Sequence, residues 1–214
     1  MCTTIKGLEC VCLALALECG EPGFQVGLST GEAAIDELSE EVGRGVVRSL
    51  RRARSRARGL TIWTVSTVNP DGHEADARTN SRGVDLNRNF PFEWSGGSAP
   101  GDLDYSGPRP LSEPESRGFR DLVRRLHPEI TIIYHQPWNA VLGSCSGPAP
   151  LQRRYARIAH MDFEPCRGAN LPGTMTRWTD RRPGTAFVVE FGPGRLGAGA
   201  ARRNARAVRA LARG

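Results

Sequence analysis

The sequence predicts an α/β domain: three layers, α/β/α, with helices on both faces of a mixed, mostly parallel sheet. Three observations predict it. The runs "LTIWTVSTV", "ITIIY" and "TAFVVEF" are rich in apolar and β-branched residues without strict alternation, as befits strands covered on both faces. Helical patterns lie between and after them. The 214 residues, 39% of them hydrophobic, with a mean hydropathy of −0.39, suffice for one domain with a full core.

The elements follow in order. Residues 1–35 show no clean period, which leaves the first strands of the sheet in question. "GRGVVRSLRRARSRARG" puts Val46, Val47 and Leu50 on one helical face, with Gly59 as the stop. "LTIWTVSTV" is a buried strand. A polar, Gly/Pro-rich segment from Asn69 to Arg109 follows, and loops this long are usually functional or disordered. "SEPESRGFRDLVRRL" opens on a capping box, Ser112 to Glu115, and reads as a helix. "ITIIY" is a strand, "PLQRRYARIAHM" a helix, "TAFVVEF" a strand and "GAARRNARAVRALAR" a closing helix.

Charge divides the chain. Residues 1–43 hold Lys6 and eight acids; residues 44–214 hold every arginine. The net charge of +6 sums an acidic start and a basic body. Arginine with almost no lysine is a compositional bias, and without a basic stripe of interleaved aromatics no nucleic-acid partner is expected. Cys2, Cys10, Cys12 and Cys19 precede the seam, Cys145 and Cys166 follow it, and no spacing among them makes a zinc knuckle. The apolar run Val11–Leu17 is too short to span a membrane, and no small-x-small cleavage site follows it. A cytoplasmic protein is expected.

Chemistry is expected beyond the carboxyl ends of the strands. "ITIIY" runs into His135, and "AFVV" runs into Glu190. Alone, either is more readily a satisfied buried residue; two such ends in one sheet favour a site. The long loop adds turn formers at Asn69-Pro70-Asp71-Gly72, then Arg78, then Asn87-Arg88-Asn89. A guanidinium fork suits a carboxylate, so this loop can clamp an anionic end group.

The ordered set "NPDG", "GVDLNRNFP", "YSGPRPLSEPE", "HQP" and "FVVE" resembles the zinc carboxypeptidase family. It is most similar to the bacterial branch of murein peptide amidases and related peptidoglycan-peptide carboxypeptidases. The resemblance covers roughly residues 44–214, taken as a catalytic domain, with 1–43 an atypical N-terminal segment. It implies zinc as cofactor and a small peptide with a free carboxylate as substrate. His135 would be a zinc ligand. Glu190 would be the general base that takes a proton from the attacking water and hands it to the leaving amine. Arg78 would stabilise the oxyanion. Asn87 and Arg88 would hold the terminal carboxylate. Arg177 and Trp178, in the loop before Glu190, would line the specificity pocket.

The family brings its other two ligands as His-x-x-Glu before a glycine. Laying Gly43 on that glycine puts Glu40 on the Glu and Glu37 where the His belongs. Three explanations stand: a change of reading frame or start before about Glu40, a Glu37/Glu40/His135 site, or a descendant that binds peptides without tightly held zinc. The simplest account of Glu37 and Glu40 themselves is a pair of acids before a helix start. Cys145, with His135 as base, is a weaker thiol alternative.

Overall fold

A computed structural model describes residues 24–30, 60–65, 67–143, 148–165, 171–193 and 196–211. The helix expected from Gly43 to Gly59, together with Glu37, Glu40 and Cys145, lies outside the described residues.

Among the described residues six strands form one sheet: β1 (Phe24–Thr30), β2 (Leu60–Val65), β3 (Ile130–His135), β4 (Ala140–Leu142), β5 (Asp162–Glu164) and β6 (Thr185–Glu190). Their order across the sheet is β2-β1-β3-β6-β4-β5. Only β4 and β6 pair antiparallel among them, so the sheet is mixed and mostly parallel, as expected. The helices are α1 (Pro70–Ala75), α2 (Pro114–Leu126), α3 (Pro150–Ala159), α4 (Met175–Asp180) and α5 (Ala198–Leu211), with a 3₁₀ turn at Leu86–Arg88.

Alternation along β3 explains the layers. Ile130, Ile132 and Tyr134 face one side and pack with Tyr155 and Ala159 of α3, Phe187 and Val189 of β6, and Val208 and Leu211 of α5. Ile133 faces the other side and packs with Phe119 and Val123 of α2, Met175 and Trp178 of α4, and Leu86, Phe90 and Phe92 of the long loop. Both faces are covered, and Ile130, Thr131, Ile132 and Ile133 are all buried.

Four expectations change. β1 arises where the sequence shows no period, and it lies inside the sheet between β2 and β3. The doubt about the first strands is therefore answered by a strand at Phe24–Thr30. Second, the capping box does not form. Glu113 is the N-cap, and the Ser112 hydroxyl instead donates to Glu113 Oε1 (2.7 Å) and accepts from Asn89 Nδ2 (2.8 Å). A loop partner competes for the serine and wins. Third, "NPDG" starts helix α1, with Asn69 Oδ1 accepting from Gly72 N (3.0 Å) as its cap. The strand expected over residues 60–68 ends at Val65, and Val68 is a fully buried loop residue.

Candidate active site

β3 and β6 run parallel, and their register pairs His135 with Glu190 at their carboxyl ends. The two residues singled out at strand ends are thus neighbours. Glu190 is buried and His135 half-buried. β1 also reaches this end of the sheet, with Thr30 opposite Tyr134. The backbone turns away directly after His135, through a cis Gln136–Pro137 peptide, and Gln136 Nε2 donates to Gly192 O (2.9 Å). That bond ties the segment after β3 to the segment after β6.

Burial lowers the His135 pKa to about 4, with the cations Arg78 and Arg88 adding to the shift and Asp85 opposing it. Two facts follow. The imidazole is neutral at pH 7, with a nitrogen lone pair to offer. Arg78, Asp85 and Arg88 also stand close enough to act on it, so the long loop does converge on the strand ends.

Asp85 organises that loop. It is fully buried. Its Oδ2 accepts from Arg78 Nε (2.8 Å) and Nη2 (2.5 Å), and its Oδ1 accepts from Asn87 N (2.9 Å) as the N-cap of the 3₁₀ turn. One carboxylate therefore fixes both the proposed oxyanion cation and the turn carrying Asn87 and Arg88. Sequence reasoning passed over Asp85, although an Asp two residues before Asn87 is a capping signal.

The turn is braced from its far side. Asn87 Oδ1 accepts from Met175 N (2.9 Å), which sets the direction in which the amide donor end faces. Arg88 Nη1 donates to Asn87 O (2.9 Å). Gly173 packs against this turn with φ +68°; a Cβ there would stand 2.0 Å from Arg88 O. Phe90 N donates to Gly173 O (2.9 Å) and Gly173 N to Phe92 O (2.6 Å). Asn89 laces the rest of the loop, donating to Ser106 O (2.8 Å) and accepting from Glu113 N (3.2 Å).

The two specificity candidates part company. The Arg177 guanidinium lies over the Phe92 ring, 4.7 Å from its centroid, next to this loop. Trp178 is a core residue: 5% exposed, with its ring 5.4 Å from that of Phe90. Helix α4, which the sequence pattern did not announce, turns Trp178 inward.

Zinc takes nitrogen, oxygen and sulfur donors, usually four in number. His135, neutral and at a strand end, fits as one ligand. Among the described residues no group of three His, Cys, Asp or Glu side chains gathers at one point. Glu37 and Glu40 fall outside those residues.

The zinc carboxypeptidase family profile matches residues 31–142, just over half of the chain, and takes in the seam, the long loop and β3. Murein peptide amidase A of Escherichia coli K12 is 36% identical over 142 residues, covering 60% of this chain and 57% of that protein. Gamma-D-glutamyl-L-diamino acid endopeptidase 1 of Lysinibacillus sphaericus is 30% identical over 148 residues, covering 63% of this chain and 35% of that protein. The chain thus aligns with little more than half the length of the first and about a third of the second. The fold is also that of solved structures. It superposes on murein-tripeptide amidase MpaA from E. coli O157 with a TM-score of 0.66 at 24% identity, over 90% of this chain and 82% of that one. Bovine thrombin-activatable fibrinolysis inhibitor matches with a TM-score of 0.74 at 19% identity, over 89% and 81%. With the family's profile matched over residues that hold Arg78, Asn87, Arg88 and His135, and with its fold reproduced, the chain belongs to the zinc carboxypeptidase family.

Proposed function

We propose that the protein is a zinc-dependent carboxypeptidase or amidase that hydrolyses a peptide bond near the free carboxylate of a small cell-wall peptide. The observation that carries this is the pairing of His135 with Glu190 beneath a loop in which Asp85 fixes Arg78 and the Asn87–Arg88 turn. The names of the two bacterial relatives support the substrate class.

In this reading Asn87 and Arg88 bind the terminal carboxylate and so set the register of the peptide. Arg78, held by Asp85, presents positive charge where the scissile carbonyl becomes an oxyanion. Glu190 takes a proton from the attacking water and returns it to the leaving amine. His135 would hold the metal with ligands outside the described residues, Glu37 and Glu40 being the sequence candidates. Zinc, when bound, polarises a carbonyl and brings the pKa of its water to about 7.

Incubation with a γ-D-glutamyl–diaminopimelate tripeptide tests the activity. Cleavage is expected, and Glu190→Gln is expected to lower kcat by a factor on the order of 10² to 10⁴. No cleavage by a folded, zinc-supplemented protein would leave the second reading, a binder that keeps Arg78, Asn87 and Arg88 but not tight zinc. Metal analysis after dialysis against a chelator separates the two at the metal. A carboxylate at the histidine position makes the site poorer, so zinc below one equivalent is expected, and Glu37→His is expected to raise it. Stoichiometric zinc in the unaltered chain contradicts that expectation.

A further inference from the structure

At the opposite end of the same two strands lies a second concavity, of about 280 Å³. Arg124 and His127 from the end of α2, Thr131 from β3, and Arg182, Gly184 and Thr185 from the α4–β6 connection line it. Thr131 stands four residues before His135, about 13 Å along the strand, so this concavity is not the candidate active site.

Its chemistry is one-sided. Among the described residues no carboxylate lines it. Arg182 is half-buried, and burial first, then the field of Arg124, push its pKa down. The exposed Arg124 and the half-buried Arg182 thus line one space, and the cost falls on Arg182. The Trp178 ring, 3.8 Å beneath Arg182, holds that guanidinium by stacking. The carbonyl end of α2 accounts for a cation at Arg124 but not for Arg182, which belongs to another segment. Asp121, the acid nearest in sequence to Arg124, is hydrogen-bonded by Arg120 (2.7 Å) and also lies in the field of Arg124. The Thr131 residue is 3% exposed, and its hydroxyl has no hydrogen-bond partner. A buried hydroxyl without a partner costs about 1–3 kcal/mol, so such a group usually has one when the site is filled. Gly184 shapes the wall: its φ is +107°, and a Cβ would stand 2.5 Å from Pro128 O.

We propose that this concavity is a binding site for a compact phosphoryl oxyanion, free or at the end of a larger molecule, held by Arg124 and Arg182 with the Thr131 hydroxyl as donor. The site does not depend on the proposed peptidase activity.

Inorganic phosphate titrated into the full chain at constant ionic strength, followed by thermal shift and calorimetry, tests it. Phosphate is expected to raise Tm where matched chloride does not. The Arg124→Gln/Arg182→Gln pair is expected to abolish the shift, and Thr131→Val to weaken affinity about tenfold. Arg88→Gln, which alters the other anion-binding loop, is expected to leave it intact. Glycerol 3-phosphate serves as the second arm: a tighter fit than phosphate points to a larger natural ligand, and an equal one to the phosphoryl group alone. Circular dichroism checks that the variants fold. The charge-retaining Arg124→Lys/Arg182→Lys pair is expected to keep part of the shift. No phosphate-specific shift, a shift that survives in the glutamine pair, or one that disappears in Arg88→Gln would each overturn the site.

Discussion

At the scale of single residues, Asp85 and Glu115 show how burial sets a carboxylate's role. Asp85 is buried but fully engaged by Arg78 and by the backbone of Asn87. Asp85→Asn keeps the shape and removes the charge. It is expected to lower kcat/KM at least tenfold through mispositioned Arg78, and to cost about 2 kcal/mol of stability as a broken charge-assisted bond. Steady-state kinetics and urea melts read the two effects separately. Glu115 differs. Burial first, then the nearby carboxylates Glu113 and Asp71, raise its pKa, while Asn80 Nδ2, at 3.3 Å, works against the rise. A carboxyl raised in the folded state favours folding below its unfolded value of 4.5, and that contribution is lost as pH rises through the folded value. Glu115→Gln is therefore expected to be more stable than the parent at pH 7, with the advantage shrinking towards pH 4.5. Melts at several pH values check the sign; an advantage that grows on acidification contradicts it.

At the scale of elements, the site is a loop held between two frames. One frame is β3 and β6, whose register is set by apolar packing on both faces. The other is the segment around Gly173, which approaches the Asn87–Arg88 turn so closely that no side chain fits. Gly173→Ala is expected to push this turn outward, raising KM more than it lowers kcat, because the carboxylate clamp moves while β6 does not. An unchanged KM would contradict the role given to the turn. Phe90 is the turn's anchor, edge-on to Phe119 (5.8 Å) and tilted on Trp178. Phe90→Ala is expected to cost about 3–5 kcal/mol, read from denaturant unfolding.

At the scale of the whole molecule, β1 binds the two unlike parts of the chain together. It comes from the arginine-free start, yet it pairs with β2 on one side and β3 on the other. Deleting residues 1–30 is expected to leave the edge of β3 open and to produce aggregates on size-exclusion chromatography. A monomeric, folded truncation would show that β1 is dispensable. Much at this scale was legible in the chain beforehand. Apolar runs without alternation announced a sheet covered on both faces, and His135 and Glu190 stood out because each ends such a run. Amino-acid order determined those features because local composition and strand-end position are properties of the chain itself. The rest needed the folded molecule. β1 alternates Phe24, Val26 and Leu28 with Gln25, Gly27 and Ser29, a pattern too short to stand out within residues 1–35, and its place between two neighbours makes it a strand. β4, β5 and α4 are too short to carry a period. Trp178 in the core, Asp85 between Arg78 and Asn87, and Ser112 taken from its cap by Asn89 all depend on contacts between segments distant in sequence or on which way a short helix turns. Composition and order settled what the strands are and which side chains end them; only the tertiary structure decided which of these meet, because meeting is fixed by strand register and close packing rather than by spacing along the chain.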